Sequence, residues 1–266
     1  MRFTVLGGNG FIGSHLVAKW RAAGHEVLVP KHESRPDPKM NLGHVVYAIG
    51  LTGDFRSRPY DTIDAHVTTM EQWLRHSNFD SWLYLSSSRV YGTTANDTHE
   101  DAKISLLPGH DALYDLSKLL GESLCYSQPR GEIRAARFSN VFGPRQSKQT
   151  FLGAILESAR NHQEIRIHEH PESAKDYINI QDAIDCIEHI VLHGNHRLYN
   201  VASGQNTSHE DIAKCLMSKC SLKVSFEDYG DMRKFPLLNT DRLQSEFSFS
   251  PRSLLADLPY LATSSN

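Results

Sequence analysis

Two groups of residues in the middle of the chain have the types and the spacing of a site for proton transfer. The first is the run SSSRVYG at residues 86–92, and the second contains Tyr114 and Lys118. A tyrosine and a lysine four residues apart share one face of a helix, where the ammonium favours the phenolate. A serine hydroxyl at a strand end can hold a substrate oxygen beside them. Together they predict that a proton moves on and off an alcohol or carbonyl oxygen, as hydride transfer at its carbon requires.

A glycine-rich turn near the start of the chain predicts a site for a nicotinamide dinucleotide. Gly7, Gly10 and Gly13 have the spacing GxxGxxG, between a predicted strand at residues 3–6 and a predicted helix at residues 12–23. The first glycine allows a tight turn, the second lets phosphate approach the backbone, and the third lets the helix pack on the strand. Amides at the helix start, with the helix dipole, then favour a pyrophosphate. The residues expected to bind the cofactor here are Gly7, Asn9, Gly10, Phe11, Ile12 and Gly13.

The end of the second predicted strand, residues 26–29, bears on the choice between NAD(H) and NADP(H). NAD sites place an acidic residue there for the adenosine ribose, whereas this chain has Lys31, followed by His32 and Arg35. A cation suits a 2′-phosphate better than a diol, so we expect NADP(H) in preference to NAD(H). The alternative is that Lys31 and Arg35 are solvated charges at a sheet edge. Further residues expected to bind the cofactor are Ile49, Gly50 and Ser139, together with Tyr114 and Lys118.

The predicted elements alternate between strand and helix, which favours an α/β fold with a Rossmann-like, doubly wound parallel sheet. Only residues 31–44 separate the second strand from the apolar run 45–49. A Rossmann sheet needs a further helix, strand and crossover here, each crossover takes at least ~10–12 residues, and prolines 36 and 38 disfavour a helix. The third strand is therefore predicted to be missing, with the second strand at the sheet edge. The other predicted elements are helices 62–75, 112–127, 151–160, 180–192 and 208–220, strands 81–86, 134–138 and 197–201, a loop at 93–111 and a tail with short elements.

Composition and charge narrow the range of partners. The 266 residues carry a net charge of −3, which gives no sign of a nucleic-acid partner. The fifteen histidines are scattered without metal-ligand spacing, so no metal site is expected. The four cysteines form no CxxC pair, the chain start lacks a signal-peptide pattern, and no apolar run approaches the ~18 residues of a spanning helix. We therefore expect a cytoplasmic protein without a membrane partner.

The order of these features resembles the extended short-chain dehydrogenase/reductase family, in particular its NAD(P)-dependent nucleotide-sugar epimerase/dehydratase branch. The resemblance covers nearly the whole chain and rests on GGNGFIGSHL at 7–16, SSSRVYG at 86–92, the YxxxK pair, RFSNVFGPR at 137–145, DYINIQDA at 176–183, YNVASG at 199–204 and GDMR at 230–233. It implies that the catalytic residues are Ser87, Tyr114 and Lys118. It also implies that the substrate contacts are Ser87, Ser88, Arg89, Asn140 and Arg233, the last two at its phosphates. A dinucleotide-binding domain at 1–139 and 177–203, a small substrate lobe at 140–176 and 204–266, and a homodimer are expected.

Departures from the family pattern narrow the expected reaction. Ser88 and Arg89 stand where the family's 4,6-dehydratases carry acidic residues, so dehydration is not expected. His66 replaces a usual asparagine, and Lys175 a usual arginine. The sequence predicts an NAD(P)-dependent oxidoreductase acting on a ring carbon, C4, of a nucleotide-activated sugar. A keto-sugar reductase or dehydrogenase is favoured, because Lys31 and the short segment 31–44 beside the expected adenine site suit a cofactor that exchanges. The alternatives are an NAD-dependent nucleotide-sugar epimerase, a reductase of non-nucleotide carbonyl compounds and a non-catalytic dinucleotide-binding module.

Overall fold

Strands and helices alternate along most of the chain in the computed structural model, which describes residues 1–109, 112–161 and 164–264. The strands are β1 (Arg2–Leu6), β2 (Glu26–Leu28), β3 (His44–Tyr47), β4 (Ser81–Ser87), β5 (Ile133–Phe138), β6 (Asn140–Phe142), β7 (Ile165–Ile167), β8 (Ala174–Asn179), β9 (Leu198–Val201), β10 (Asn206–Ser208) and β11 (Val224–Phe226). The helices are α1 (Phe11–Ala22), α2 (Pro59–Ile63), α3 (Thr69–His76), α4 (Ala112–Tyr126), α5 (Phe151–Arg160), α6 (Ile180–His193), α7 (His209–Cys220), α8 (Asp241–Phe247) and α9 (Leu254–Thr263). Residues 110 and 111 of the predicted loop 93–111, and residues 265 and 266 of the predicted tail, lie outside the described residues.

The main sheet has six parallel strands in the order β2-β1-β3-β4-β5-β9. Helices α1 and α6 pack on one face and on each other, whereas α3 and α4 lie on the opposite side, with α4 against β4 and β5. The predicted α/β fold with a parallel sheet is confirmed. Because all strands run the same way, the segments that follow β1, β3, β4 and β5 emerge at one edge of the sheet, where ligands bind in such folds.

The prediction that the third strand is missing is also confirmed. Residues 31–43, all of which the structure describes, contain no strand beyond an isolated bridge at Asn41, and β2 forms the edge of the sheet. The connection closes tightly at Gly43, which has φ +66° and whose added Cβ would lie 2.2 Å from the carbonyl oxygen of Arg2. Only glycine fits such an approach, so the chain enters β3 directly beside β1.

Other elements differ from their predicted form. The helix predicted at residues 62–75 begins at Pro59 and is split by a π-helical segment, Asp64–Thr68, between α2 and α3. The predicted tail contains a ten-residue helix, α9, with Pro259 inside it. Strands β6, β7, β10 and β11 are three residues long, and their pairing partners lie elsewhere in the chain, so no period-2 pattern reveals them.

The later part of the chain forms two small sheets beside the main one, with strand orders β10-β8-β6 and β11-β7. The β10–β8 pair is antiparallel, whereas β6–β8 and β11–β7 are parallel. Helices α5, α7 and α9 pack together over a separate apolar core that includes Phe142, Leu156, Ile212, Leu216 and Leu258. Because β6 begins two residues after β5 ends, Asn140 lies where the chain passes from the main sheet into the small sheets. Within the described ranges, no helix is long and apolar enough to cross a lipid bilayer.

Candidate functional site

The glycine turn between β1 and α1 has the geometry that the sequence predicts. Gly7 has φ +91°, and a Cβ there would lie 2.8 Å from the carbonyl carbon of Ala48, so the turn is pressed against the chain that follows β3. A Cβ at Gly13 would lie 2.3 Å from the carbonyl oxygen of Gly7. Asn9 and Gly10 are exposed at the start of α1, and the first turn of α1, described in full, has neither a side-chain cap nor an acidic residue. These amides and the positive helix end fit a pyrophosphate.

Gly50 connects this turn to the predicted catalytic residues. Gly7 packs against Ala48 and the amide of Ile49, and the chain continues at once to Gly50. A Cβ at Gly50 would lie 3.2 Å from His66 Nε2 and 3.5 Å from Lys118 Nζ. The structure thus brings the glycine turn, Gly50 and Lys118 into one continuous surface at the carboxyl edge of the sheet.

Ser87, Tyr114 and Lys118 lie together as predicted from their order in the chain. Ser87, at the end of β4, and Thr52 lie close enough to the Tyr114 phenol for their hydroxyls to lower its pKa. Lys118 Nζ lies 5.9 Å from the centre of the Tyr114 ring and donates a hydrogen bond to the carbonyl oxygen of Leu85 at 2.9 Å. Tyr114 and Lys118 are each 5% exposed, so both groups are held in a site from which water is largely excluded.

Burial sets the acid–base properties of these groups. Burial lowers the pKa of Lys118 to about 7, although the nearby carboxylate of Glu122 opposes the shift. Burial raises the pKa of the Tyr114 phenol; hydrogen bonds with Ser87 and Thr52 and the charge of Arg89 oppose that rise. An amine that titrates near neutral pH can lose and regain a proton during turnover, as acid–base catalysis requires.

His66, which replaces the family's asparagine, ties three segments together beneath the site. Its ring is fully buried, and Nε2 accepts a hydrogen bond from the amide of Leu51 at 3.3 Å. The other ring nitrogen, Nδ1, therefore carries the hydrogen and donates to the hydroxyl of Ser117 at 2.8 Å. Ser117 in turn donates to the carbonyl oxygen of Tyr114 at 2.8 Å. Burial and the charge of Lys118 lower the pKa of His66 to about 2, so its ring is neutral.

Four of the five predicted substrate contacts, all except Ser87, line one pocket between the main sheet and the small sheets. Its walls include Ser88, Arg89, Asn140, Lys175 and Arg233. The side-chain amide of Asn140 donates to the carbonyl oxygen of Asp176 at 2.8 Å, and Lys175 pairs with Glu169 at 3.1 Å. Arg233 is held through its backbone amide, which donates to the hydroxyl of Ser173 at 2.9 Å, while its side chain lines the pocket. The pocket lining therefore includes two arginines, Arg89 from the 3-10 turn Ser88–Tyr91 and Arg233 from the segment between β11 and α8.

Two further residues that the sequence predicts to bind the cofactor are Lys31, after β2, and Ser139, after β5. Lys31 is exposed two residues beyond Val29, whose side chain would be 2.7 Å from a Cβ at Gly8. The end of β2 is therefore beside the glycine turn, where the adenosine ribose is expected. Ser139 is buried directly after β5, and its amide donates to the carbonyl oxygen of Val201 at 3.1 Å.

Three residues around Tyr114 were not identified from the sequence. Thr52 lies near the Tyr114 phenol and lowers its pKa, the Phe55 ring centre is 5.2 Å from that of Tyr114, and Asp115 pairs with Arg89 at 3.2 Å. Thr52 and Phe55 lie on the segment between β3 and α2, which carries no motif. Asp115 directly follows Tyr114, and only its pairing with Arg89 shows a role.

A buried ionic network supports the strand that carries Ser87. Arg137 donates from its Nη2 to Glu122 Oε2 at 2.7 Å, and both side chains are at most 5% exposed. Ser86, the neighbour of Ser87, donates to Glu122 Oε1 at 2.5 Å, and Arg137 Nη1 donates to the hydroxyl of Tyr91 at 2.9 Å. These bonds join β4, β5, α4 and the 3-10 turn Ser88–Tyr91 behind the site.

The sequence and the fold are similar to those of nucleotide-sugar enzymes. The profile of the NAD dependent epimerase/dehydratase family matches residues 3–65 and 41–202. GDP-6-deoxy-D-mannose reductase from Pseudomonas aeruginosa is 28% identical, over 88% of this chain and 85% of that protein. The structure of RMD from Pseudomonas aeruginosa complexed with NADPH matches with a TM-score of 0.82 and 22% identity over 98% of both chains. UDP-glucuronic acid 4-epimerase from Bacillus cereus, in complex with UDP-glucuronic acid and NAD, matches with a TM-score of 0.81 and 19% identity over 98% of both chains.

Proposed function

This chain belongs to the NAD dependent epimerase/dehydratase family, and from that premise we propose that it is an NAD(P)-dependent oxidoreductase acting on C4 of a nucleotide-activated sugar. We favour a keto-sugar reductase or dehydrogenase. One observation carries the proposal: Ser87, whose hydroxyl lowers the pKa of the Tyr114 phenol, and the buried amine of Lys118 lie together at that phenol, next to the glycine turn. That arrangement is suited to proton exchange with the oxygen of a carbon that gains or loses hydride.

Each residue has a separate role in the proposed reaction. A bound nicotinamide supplies or accepts the hydride. The hydroxyl of Ser87 binds the substrate oxygen and orients it. The phenol of Tyr114 gives its proton to that oxygen in the reductive direction, or takes it in the oxidative direction. Lys118 stabilises the phenolate electrostatically while it is protonated.

The glycine turn would hold the pyrophosphate of the cofactor, and the end of β2 would hold its adenosine ribose. The first amides of α1, beside Asn9 and Gly10, would bind the pyrophosphate, and Gly50 lies where a side chain would block the approach to Lys118. Lys31 supports NADP(H), because a cation compensates a 2′-phosphate. Arg233 and Asn140 would bind the substrate's phosphates from the small-sheet side of the pocket. Within this pocket, Ser88 and Arg89 leave the dehydratase positions without an acid, which supports reduction over dehydration.

The proposed activity is tested by turnover with purified protein. We expect oxidation of NADPH on addition of 4-keto nucleotide sugars, and a loss of about 10²–10⁴-fold in the Tyr114→Phe variant. Tyr60→Phe, which removes a hydroxyl from a tyrosine that is 86% exposed on α2, is the matched control and should retain full activity. Turnover that survives Tyr114→Phe would contradict the assignment of the proton donor.

A tightly held NAD that stays bound through purification, with interconversion of C4 epimers and no net cofactor consumption, would identify the epimerase instead. Dinucleotide binding without turnover on any nucleotide sugar or simple ketone would identify a binding module. Protection from heat by nucleoside diphosphates separates a nucleotide-sugar substrate from other carbonyl compounds. The expected homodimer is supported by Leu116 and Leu120, which are 41% and 48% exposed one turn apart on α4, and sedimentation measures it.

A further inference from the structure

Arg89 lies against the predicted proton donor, although the sequence suggests only a substrate contact for it. Its guanidinium carbon is 5.1 Å from the centre of the Tyr114 ring and 5.3 Å from that of Phe55. Its Nε donates to Asp115 Oδ1 at 3.2 Å, and its backbone amide donates to the hydroxyl of Ser87 at 3.3 Å. The guanidinium is therefore fixed from α4 and from the end of β4, over the face of the phenol ring.

Burial disfavours the positive charge of Lys118 at this site. Its amine is 5.9 Å from the Tyr114 ring centre, donates a hydrogen bond to the carbonyl oxygen of Leu85 and is almost completely buried. Burial lowers the pKa of Lys118 to about 7, whereas burial raises the pKa of the Tyr114 phenol above its ordinary value. Lys118 therefore loses its proton at a lower pH than Tyr114 does. A guanidinium stays protonated throughout this range.

We propose that Arg89 acts through Tyr114 as a positioning residue, as the permanent positive charge that stabilises the phenolate left after the proton is given to the substrate oxygen. The proposal rests on the proposed function, because it assumes that Tyr114 is the proton donor. In the reductive step the phenol O–H bond breaks, the proton goes to the substrate oxygen, and the electron pair remains on the phenol oxygen. Solvent returns the proton afterwards, and Arg89 itself neither gains nor loses one.

Among the described groups around Tyr114, His66, Tyr84 and Asp115 do not take over this role. The ring of His66 is neutral because burial and Lys118 lower its pKa to about 2, and burial raises the pKa of Tyr84 well above its usual value. Asp115 is an anion that opposes phenolate formation. Within the described ranges, the titratable or charged groups that face the phenol and its neighbours are Arg89 from the 3-10 turn, Asp115 and Lys118 from α4, His66 from the π-helical segment, Tyr84 from β4, and Arg56, whose guanidinium reaches Phe55 at 4.5 Å.

The proposal is tested by measuring the ionisation of Tyr114 directly. Protein labelled with ¹³C at the tyrosine ζ carbon is titrated by NMR, and the Tyr114→Phe variant identifies the signal. We expect Arg89→Met to move the midpoint of that titration up by about one pH unit, the low end for a charge 4–6 Å away, since the Arg89 side chain is 39% exposed and shares its charge with Asp115. Arg89→Lys keeps the charge and should restore most of the midpoint.

Controls separate this effect from folding and from substrate binding. Arg233→Met removes a guanidinium from the other side of the same pocket and should leave the Tyr114 titration unchanged. Thermal unfolding confirms that each variant is folded, and Arg89→Gln replaces Arg89→Met if the latter is not. An unchanged midpoint in the neutral variant, or a rise in KM alone without a shift in the pH profile of kcat, overturns the proposal. Loss of turnover in Tyr114→Phe, together with an unchanged Tyr114 midpoint in Arg89→Met, rejects only this inference. Turnover that survives Tyr114→Phe rejects the proposed function.

Discussion

The buried amine of Lys118 makes the stability of the cofactor-free protein depend on pH in a way that Lys118→Met should abolish. Burial lowers the pKa of Lys118 to about 7, against an ordinary value of 10.5 in the unfolded chain. Between these values the unfolded state binds more protons than the folded state, so this group makes stability rise with pH. From about pH 7 to about pH 9 the wild type should gain about 2 kcal/mol of unfolding free energy relative to Lys118→Met.

The assay is denaturant unfolding of both proteins at the two pH values, so that all other titrating groups cancel in the difference. Lys214→Met is the matched control, because Lys214 is 61% exposed on α7 and pairs with Glu210. The side chain of Lys214 stays protonated over this range, so that variant should follow the wild type. If the difference in unfolding free energy between the wild type and Lys118→Met stays constant with pH, the pKa of Lys118 is not lowered to about 7 and the reasoning is refuted.

Three further substitutions test the residues that hold the site in place: a buried ion pair, the glycine turn and the hydrogen bonds of His66. Glu122→Gln leaves the buried guanidinium of Arg137 without its carboxylate, and should lower the unfolding free energy by about 3–5 kcal/mol in denaturant titrations. Gly13→Ala places a Cβ 2.3 Å from a backbone oxygen and should abolish dinucleotide binding measured by calorimetry. Gly230→Ala is its control, since a Cβ there meets open space among the described residues. His66→Ala leaves buried hydrogen-bonding groups unpaired, and should cost about 1–3 kcal/mol of unfolding free energy and lower kcat.

The parts of the fold that could be predicted are those in which neighbouring residues determine the structure. The strand, glycine turn and helix at the start of the chain follow from local spacing, and the length of residues 31–44 alone excludes another strand. The YxxxK pair also fixes its own geometry, because Tyr114 and Lys118 lie on one helix. The strands β6, β10 and β11 could not be predicted, since three residues carry no periodic signal and their stability comes from distant partners.

The electrostatics of the site depend on contacts between distant segments. Phe55, Arg89 and Tyr114 are far apart in the sequence, yet the two tilted rings and the guanidinium form one cluster. Likewise, the depressed pKa of Lys118 arises from burial beneath the segment after β3, which no helical spacing reveals. The roles assigned to the substrate and cofactor residues remain predictions, which the substitutions above address.

Two cations of different kinds at one phenol have a physical consequence for turnover. A buried amine that titrates near neutral pH can exchange protons easily, but its attraction for the phenolate disappears once it is neutral. A guanidinium cannot exchange its proton, but its attraction persists at every pH at which the protein is folded. If Arg89 stabilises the phenolate, Lys118 can lose its proton without loss of that stabilisation. On the alkaline side of the pH profile, kcat should then fall gently in the wild type and steeply in Arg89→Met. In that variant only Lys118 would stabilise the phenolate, and its charge is lost as the pH rises.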